Sequence, residues 1–128
     1  MVKTSSDKWK NTVLKYKKQC QSILQISKNI RYAGVINNYG RTLTGVIQPT
    51  LKPLLKSEEV KHEFFIISTL LTLRSDNTKS IGKLNHVVLK HSKVNIVVFL
   101  KNNATFYVSI NSKEKSLDKI ISLIKKII

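Results

Sequence analysis

Cysteine, proline, glycine and acidic residues are all scarce in these 128 residues, and each scarcity excludes something. The lone Cys20 makes no intrachain disulfide and belongs to no thiol cluster that could hold zinc, which suits a reducing interior. Two prolines and four glycines, beside 41% apolar and 23% charged residues, are too few for a low-complexity or disordered chain. No uncharged apolar run approaches the roughly 18 residues that span a bilayer. The opening Met1-Val2-Lys3-Thr4-Ser5-Ser6 lacks the apolar stretch of a signal peptide, so the reading is a cytoplasmic protein whose residues 1–6 are flexible. Asn103-Ala104-Thr105 matches a glycosylation sequon, which stays silent without a secretory route. The length suits one domain, residues 1–128, with one modest core.

Seven acidic residues against 23 basic ones give a net charge of +16. A field of that size attracts nucleic acid, anionic membrane or acidic protein. Nearly all the basic residues are lysine, with guanidinium only at Arg31, Arg41 and Arg74. Lysine-, isoleucine- and asparagine-rich usage is also what AT-rich coding produces, so charge alone does not choose the partner.

The scarcity of acids also weighs against catalysis. Asp7, Glu58, Glu59 and Asp118 stand where helix starts favour negative charge, which leaves no carboxylate pair for acid–base work. His62, His86 and His91 fall on a helix, a strand and a turn, without metal-ligand spacing. Gly40-Arg41-Thr42-Leu43-Thr44-Gly45 has the glycine spacing of a phosphate loop, but Val46 occupies the lysine position and a strand follows where a helix is required. The sequence therefore offers no catalytic, metal or cofactor residues, and a non-enzymatic binding module is the reading.

Periodicity places the elements. Trp9, Val13, Tyr16, Cys20, Ile23 and Leu24 recur at helical steps, with Asp7 or Ser6 as the cap. Ile30–Ile36 is apolar on both alternating faces, as an inner strand is, and the turn Asn37-Asn38-Tyr39-Gly40 returns the chain as a second strand, Thr42–Ile47. Ser57 begins a second helix with Glu58 and Glu59 in its first turn. Its stripe of Val60, Phe64, Ile67 and Leu71 is widened nearly around the cylinder by Phe65, Ile66, Leu70 and Leu73. Such a helix is either deeply buried or meets another subunit. Ser75–Lys79 reads as a polar turn. Leu84–Lys90, Val94–Leu100 and Thr105–Ile110 follow as an antiparallel meander, and Ser116 caps a final helix whose apolar positions are Leu117, Ile120, Ile121, Ile124, Ile127 and Ile128.

The order αββαβββα resembles the roadblock/LC7 domain of the wider profilin- and longin-like architecture. The most specific part is Tyr32-Ala33-Gly34-Val35-Ile36-Asn37-Asn38-Tyr39-Gly40-Arg41-Thr42-Leu43, which looks like that family's opening hairpin. Ile30-Arg31-Tyr32-Ala33-Gly34-Val35 is also similar to a family of small archaeal proteins from ammonia-oxidising lineages. The roadblock resemblance implies an α+β fold with a five-stranded antiparallel sheet of order 2-1-5-4-3, the first and last helices on one face and the middle helix on the other. It further implies a homodimer through the middle helix and the adjacent edge strand, serving small GTPases or other assemblies as a scaffold or regulator. Carried over, the interface candidates are Phe65, Ile66, Thr69 and Leu73 with Leu84, His86 and Val88 of the strand. The positive charge departs from the usual GTPase partner and points also to an acidic protein.

Two other functions compete. Lys8, Lys10, Lys15, Lys17 and Lys18 give the first helix a cationic surface for sequence-independent nucleic-acid binding, though no RNP aromatic pair, GXXG loop or recognition helix accompanies it. Trp9 and Tyr16 beside those lysines also suit a membrane surface, a weaker reading. A sensor holding a small ligand between sheet and helix has no polar constellation to support it.

Overall fold

The computed structural model describes residues 4–75 and 78–128. Helix α1 spans Ser5–Leu24, and its start differs from the expectation. Thr4 is the cap: its hydroxyl accepts from the Asp7 amide at 3.1 Å, while the Asp7 carboxylate accepts from the Thr4 amide at 3.3 Å. Asp7 thus supplies the returning half of a capping box, which satisfies donors that the helix leaves free. Ser5 and Ser6 belong to the helix, whereas residues 1–3 of the expected flexible segment lie outside the described residues.

Strands β1 (Ile30–Ile36), β2 (Thr42–Ile47), β3 (Val87–Lys90), β4 (Val94–Lys101) and β5 (Ala104–Asn111) form one sheet in the order β2-β1-β5-β4-β3, every pairing antiparallel. This is the order the resemblance implied. Helix α2 (Ser57–Arg74) covers one face, and α1 with α4 (Leu117–Ile127) covers the other. A short helix α3, Thr78–Ile81, takes in the last two residues of the expected polar turn Ser75–Lys79, of which residues 76 and 77 lie outside the described residues, so the order among the described residues is αββααβββα.

Alternation in the strands divides the core in two. Ala33, Val35, Val97, Phe106 and Val108 pack beneath Cys20, Ile23, Ile120 and Ile124. Ile36, Ile96, Val98 and Tyr107 pack beneath Phe64, Ile67 and Leu71. The apolar stripe of α1 is buried only toward its C-terminus: Val13 and Tyr16 are half-buried and Trp9 is 52% exposed. The reason is length, since a 20-residue helix of about 30 Å outruns a seven-residue strand of about 23 Å.

Two turns set the register. In the first, the Asn37 carboxamide oxygen accepts from the amides of Tyr39 and Arg41 at 2.9 and 3.0 Å. Gly40 closes that turn at φ 81°, and a Cβ there would lie 2.8 Å from the Phe64 carbonyl oxygen, so the hairpin tip docks directly on the α2 backbone. Between β4 and β5, Asn102 and Asn103 both adopt positive φ, at 49° and 66°, as a tight two-residue hairpin requires.

Strand β3 begins at Val87, three residues later than the apolar alternation indicates. Its pairing with β4 stops at Val87–Val98, so Leu84, Asn85 and His86 have no ladder partner, although β4 continues to Lys101 against β5. At α4, Ser116 occupies the cap position without a side-chain bond to the helix. Glu114 instead accepts from the Ser116 amide at 3.0 Å, and its other oxygen accepts from Ser27 and Asn29 at 2.9 and 3.2 Å, tying the loop after α1 to the loop before α4.

Candidate interaction surfaces

Helix α2 divides its apolar residues between core and solvent. Phe64, Ile67, Ser68 and Leu71 face the sheet and are buried. Phe65, Ile66 and Leu73 remain 60%, 50% and 63% exposed, with Thr69 exposed among them. One turn of helix separates Phe65 from Thr69 and Thr69 from Leu73, so these three share an outward stripe. Large aromatic and branched side chains clustered on one helix face exceed the scattered surface apolars of an ordinary monomer.

The strand residues expected beside that stripe are divided. Leu84 precedes β3 and packs with the α2-side core. Val88 packs into the α1–α4 core, and the His86 ring lies 5.9 Å from Phe99 on that same side. The cause is the late start of β3, which removes Leu84 from the alternation that would have put all three on one face. What β3 offers at the edge is its backbone: it pairs with β4 on one side alone, leaving the outward groups of Val87–Lys90 without a strand partner among the described residues. His86 Nδ1 is buried without a hydrogen-bond partner among the described residues. Desolvation, aided by Lys125 and opposed by Asp118, lowers the pKa of His86 and favours its neutral form.

Lys8, Lys10, Lys15, Lys17 and Lys18 are all exposed on α1. The one ion pair among the described residues is Lys61–Glu58 at 3.7 Å, an exposed contact on α2, so these five lysines face solvent without carboxylate partners there. Cys20, opposite them, is fully buried, and burial pushes its thiol up to about 12.

A groove of about 540 Å³ opens between the sheet and the N-terminal half of α2. Its floor includes Tyr32, Ile96, Tyr107 and Ser109, one wall is Val60 and Phe64, and the loop carrying Leu51, Leu54 and Leu55 forms the other. The Tyr107 hydroxyl donates to Glu63 Oε2 at 2.8 Å, and burial followed by the Glu63 charge raises the Tyr107 pKa. Tyr32 lies across Gly34 and Gly45, which face each other on β1 and β2; a Cβ on either glycine would collide with its ring. Its hydroxyl is pushed up to about 12, chiefly by burial.

Arg31 reaches the same groove because of a backbone irregularity. Ile30 pairs with Ile110 and Tyr32 with the adjacent Ser109, which makes Arg31 the extra residue of a bulge. A bulge redirects side chains, so Ile30 enters the α1–α4 core while Arg31 and Tyr32 both line the opposite side. Arg31 Nη2 donates to the Lys52 carbonyl at 2.9 Å and fastens the leucine-bearing loop to β1. Sequence reasoning missed this groove; its available signal was three leucines in a segment interrupted by Pro49 and Pro53.

Among the described residues no three His, Cys, Asp or Glu side chains converge as metal ligands, and no helix is long and apolar enough to cross a membrane. No family model matches the sequence, and a search of curated proteins finds no match. Solved structures do match. The gliding protein MglB of Thermus thermophilus is 12% identical with a TM-score of 0.71, over 89% of this chain and 82% of that one. A roadblock/LC7 domain from Streptomyces avermitilis is 12% identical with a TM-score of 0.63, over 85% and 90%. MglC of Myxococcus xanthus is 13% identical with a TM-score of 0.61, over 88% and 92%.

Proposed function

We propose that the chain, whose fold is roadblock/LC7-like, is a non-enzymatic, cytoplasmic regulatory or scaffold module that works as a homodimer, with α2 and the free edge of β3 forming the interface and a small-GTPase-type or acidic protein as the partner. The observation that carries this reading is the outward stripe of Phe65, Thr69 and Leu73 with Ile66, apolar surface that the chain's own sheet does not cover. Burying such a stripe against its copy supplies hydrophobic free energy at ~25 cal/mol per Å², and β3 against β3 would pair the outward amides and carbonyls. A homodimer doubles an already large positive charge, which favours an acidic surface on the partner.

Sedimentation equilibrium over about 1–100 μM, a range that brackets a specific dimer of moderate affinity, tests the assembly. A mass of two chains is expected, and a strict monomer throughout would overturn it. Salt separates the two associations, because screening relieves repulsion between identical cationic protomers and weakens attraction to an acidic partner. Self-association should therefore strengthen with salt while capture of the partner weakens.

The unpaired lysines of α1 support a second reading, sequence-independent nucleic-acid binding through Lys8, Lys10, Lys15, Lys17 and Lys18. Its test is a titration with duplex DNA or RNA at several salt concentrations, where phosphate contacts give a steep loss of affinity. No binding at low salt would dismiss it.

A further inference from the structure

We propose that the groove beneath the N-terminal half of α2 binds a long-chain fatty carboxylate, its acyl chain on the apolar floor and its head group at the cationic rim. The proposal stands apart from dimerisation, which uses the opposite side of α2.

The lining has the two halves such a molecule needs. Tyr32, Ile96, Phe64 and Val60 provide an apolar surface, and Leu54 and Leu55, 51% and 37% exposed, extend it to the mouth. At about 540 Å³ the space has the size of a small-molecule site, commonly ~300–1,000 Å³. Arg31, Lys52 and Lys93 line the same groove, with His91 beside them on the turn between β3 and β4. Glu63 is the one carboxylate on the lining, and the Tyr107 hydroxyl already engages it. An anionic head group therefore meets cations without displacing a resident acid.

Thr42 and Ile47 of the edge strand β2 also line the groove, but its floor argues against a peptide laid across the sheet as the occupant. Tyr32, Ile96, Tyr107 and Ser109 lie on β1, β4 and β5, interior strands whose backbone groups are paired on both sides. A peptide laid across them would leave its own amides and carbonyls short of partners against an apolar floor, at a cost of about 1–3 kcal/mol for each group left buried. An acyl chain has no such groups. The bulge at Arg31 is the local device that makes the site amphipathic, because regular alternation would not place a guanidinium and the Tyr32 ring side by side on this face.

The test is displacement of cis-parinaric acid from the full chain by palmitate, kept below its aggregation concentration, with hexadecanol as the uncharged control. One saturable site per chain is expected, with hexadecanol the weaker competitor. Lys93→Glu, in an exposed turn, should weaken palmitate about fivefold, as a single exposed charge contact allows. Ser109→Phe fills the floor and should abolish binding. Leu54→Glu, at an exposed loop position, should weaken binding strongly without risk to the fold and so covers the case in which Ser109→Phe does not fold. Absence of saturable displacement, equal competition by hexadecanol and palmitate, or unchanged binding by Lys93→Glu and Leu54→Glu would each overturn the proposal. Displacement of the probe by an acidic, leucine-containing peptide but not by palmitate would overturn it in favour of a peptide groove. A change of mass in Leu54→Glu without any palmitate effect would assign the groove to a second copy of the chain.

Discussion

Helices α4 and α2 are both rich in isoleucine and leucine, yet they use that surface differently. In α4 the apolar positions fall on one side: Ile120, Ile121 and Ile124 are buried, while Lys119, Lys125 and Lys126 are exposed. The helix is complete once it lies on the sheet. In α2, Phe64, Ile67 and Leu71 complete an equivalent contact, and Phe65, Ile66 and Leu73 are left over. Packing on one sheet face needs a stripe about 100° wide, so residues beyond it have no role in the monomer. The difference separates apolar residues that make the fold from apolar residues available to a partner.

Substitutions can break that comparison, and the largest effects belong to the completed contacts. Ile124→Ala on α4 and Ile67→Ala on α2 each remove a fully buried side chain and should cost about 2–5 kcal/mol in urea unfolding. Equal losses from the two helices would mean that the inner side of α2 is as firmly seated as α4. Next comes Gly40→Ala, which combines a positive φ with a collision at the Phe64 carbonyl. It should cost about 1–3 kcal/mol and increase amide exchange in α2 more than in α4, since the hairpin tip rests on α2.

A smaller effect sharpens the α4 side. Hydrogen bonds from Ser116, Asn29 and Ser27 hold the Glu114 carboxylate below its ordinary range. A carboxylate depressed in the folded state contributes stability above its unfolded pKa and loses it as pH falls through the folded value. Glu114→Gln should therefore lower Tm at neutral pH, with the gap to wild type closing on acidification below about pH 4, near the ordinary glutamate pKa. A gap independent of pH would remove charge from the explanation. Smallest in stability is Phe65→Ala, which should stay within about 0.5 kcal/mol when measured on dilute monomer.

Most of this contrast could be read in the sequence, and where reading failed the reason is physical. The surplus of apolar residues on α2 was visible as a stripe too wide for one face, and the opening hairpin was visible from its glycine and asparagines. The strand order followed from the resemblance, not from the residues alone. Strand β3 was overextended because Leu84-Asn85-His86 alternates like a strand, whereas a strand also needs pairing, which ceases at Val87. Thr4 was missed as a cap because the apolar stripe that locates α1 begins only at Trp9, five residues later. The groove was illegible because it is built across the chain, from a one-residue bulge at Arg31, a leucine-bearing loop and the start of α2. No single window of sequence contains those parts.

The central claim is that the outer stripe of α2 joins two chains. Its most direct test compares the solution mass of wild type with that of the double variant Phe65→Glu, Leu73→Glu, both substitutions at exposed positions. A wild-type dimer is expected, with a variant that is monomeric at the same concentration and has the same unfolding midpoint when both are diluted to monomer. A variant that keeps the wild-type mass, or a wild type that is already monomeric, would contradict it.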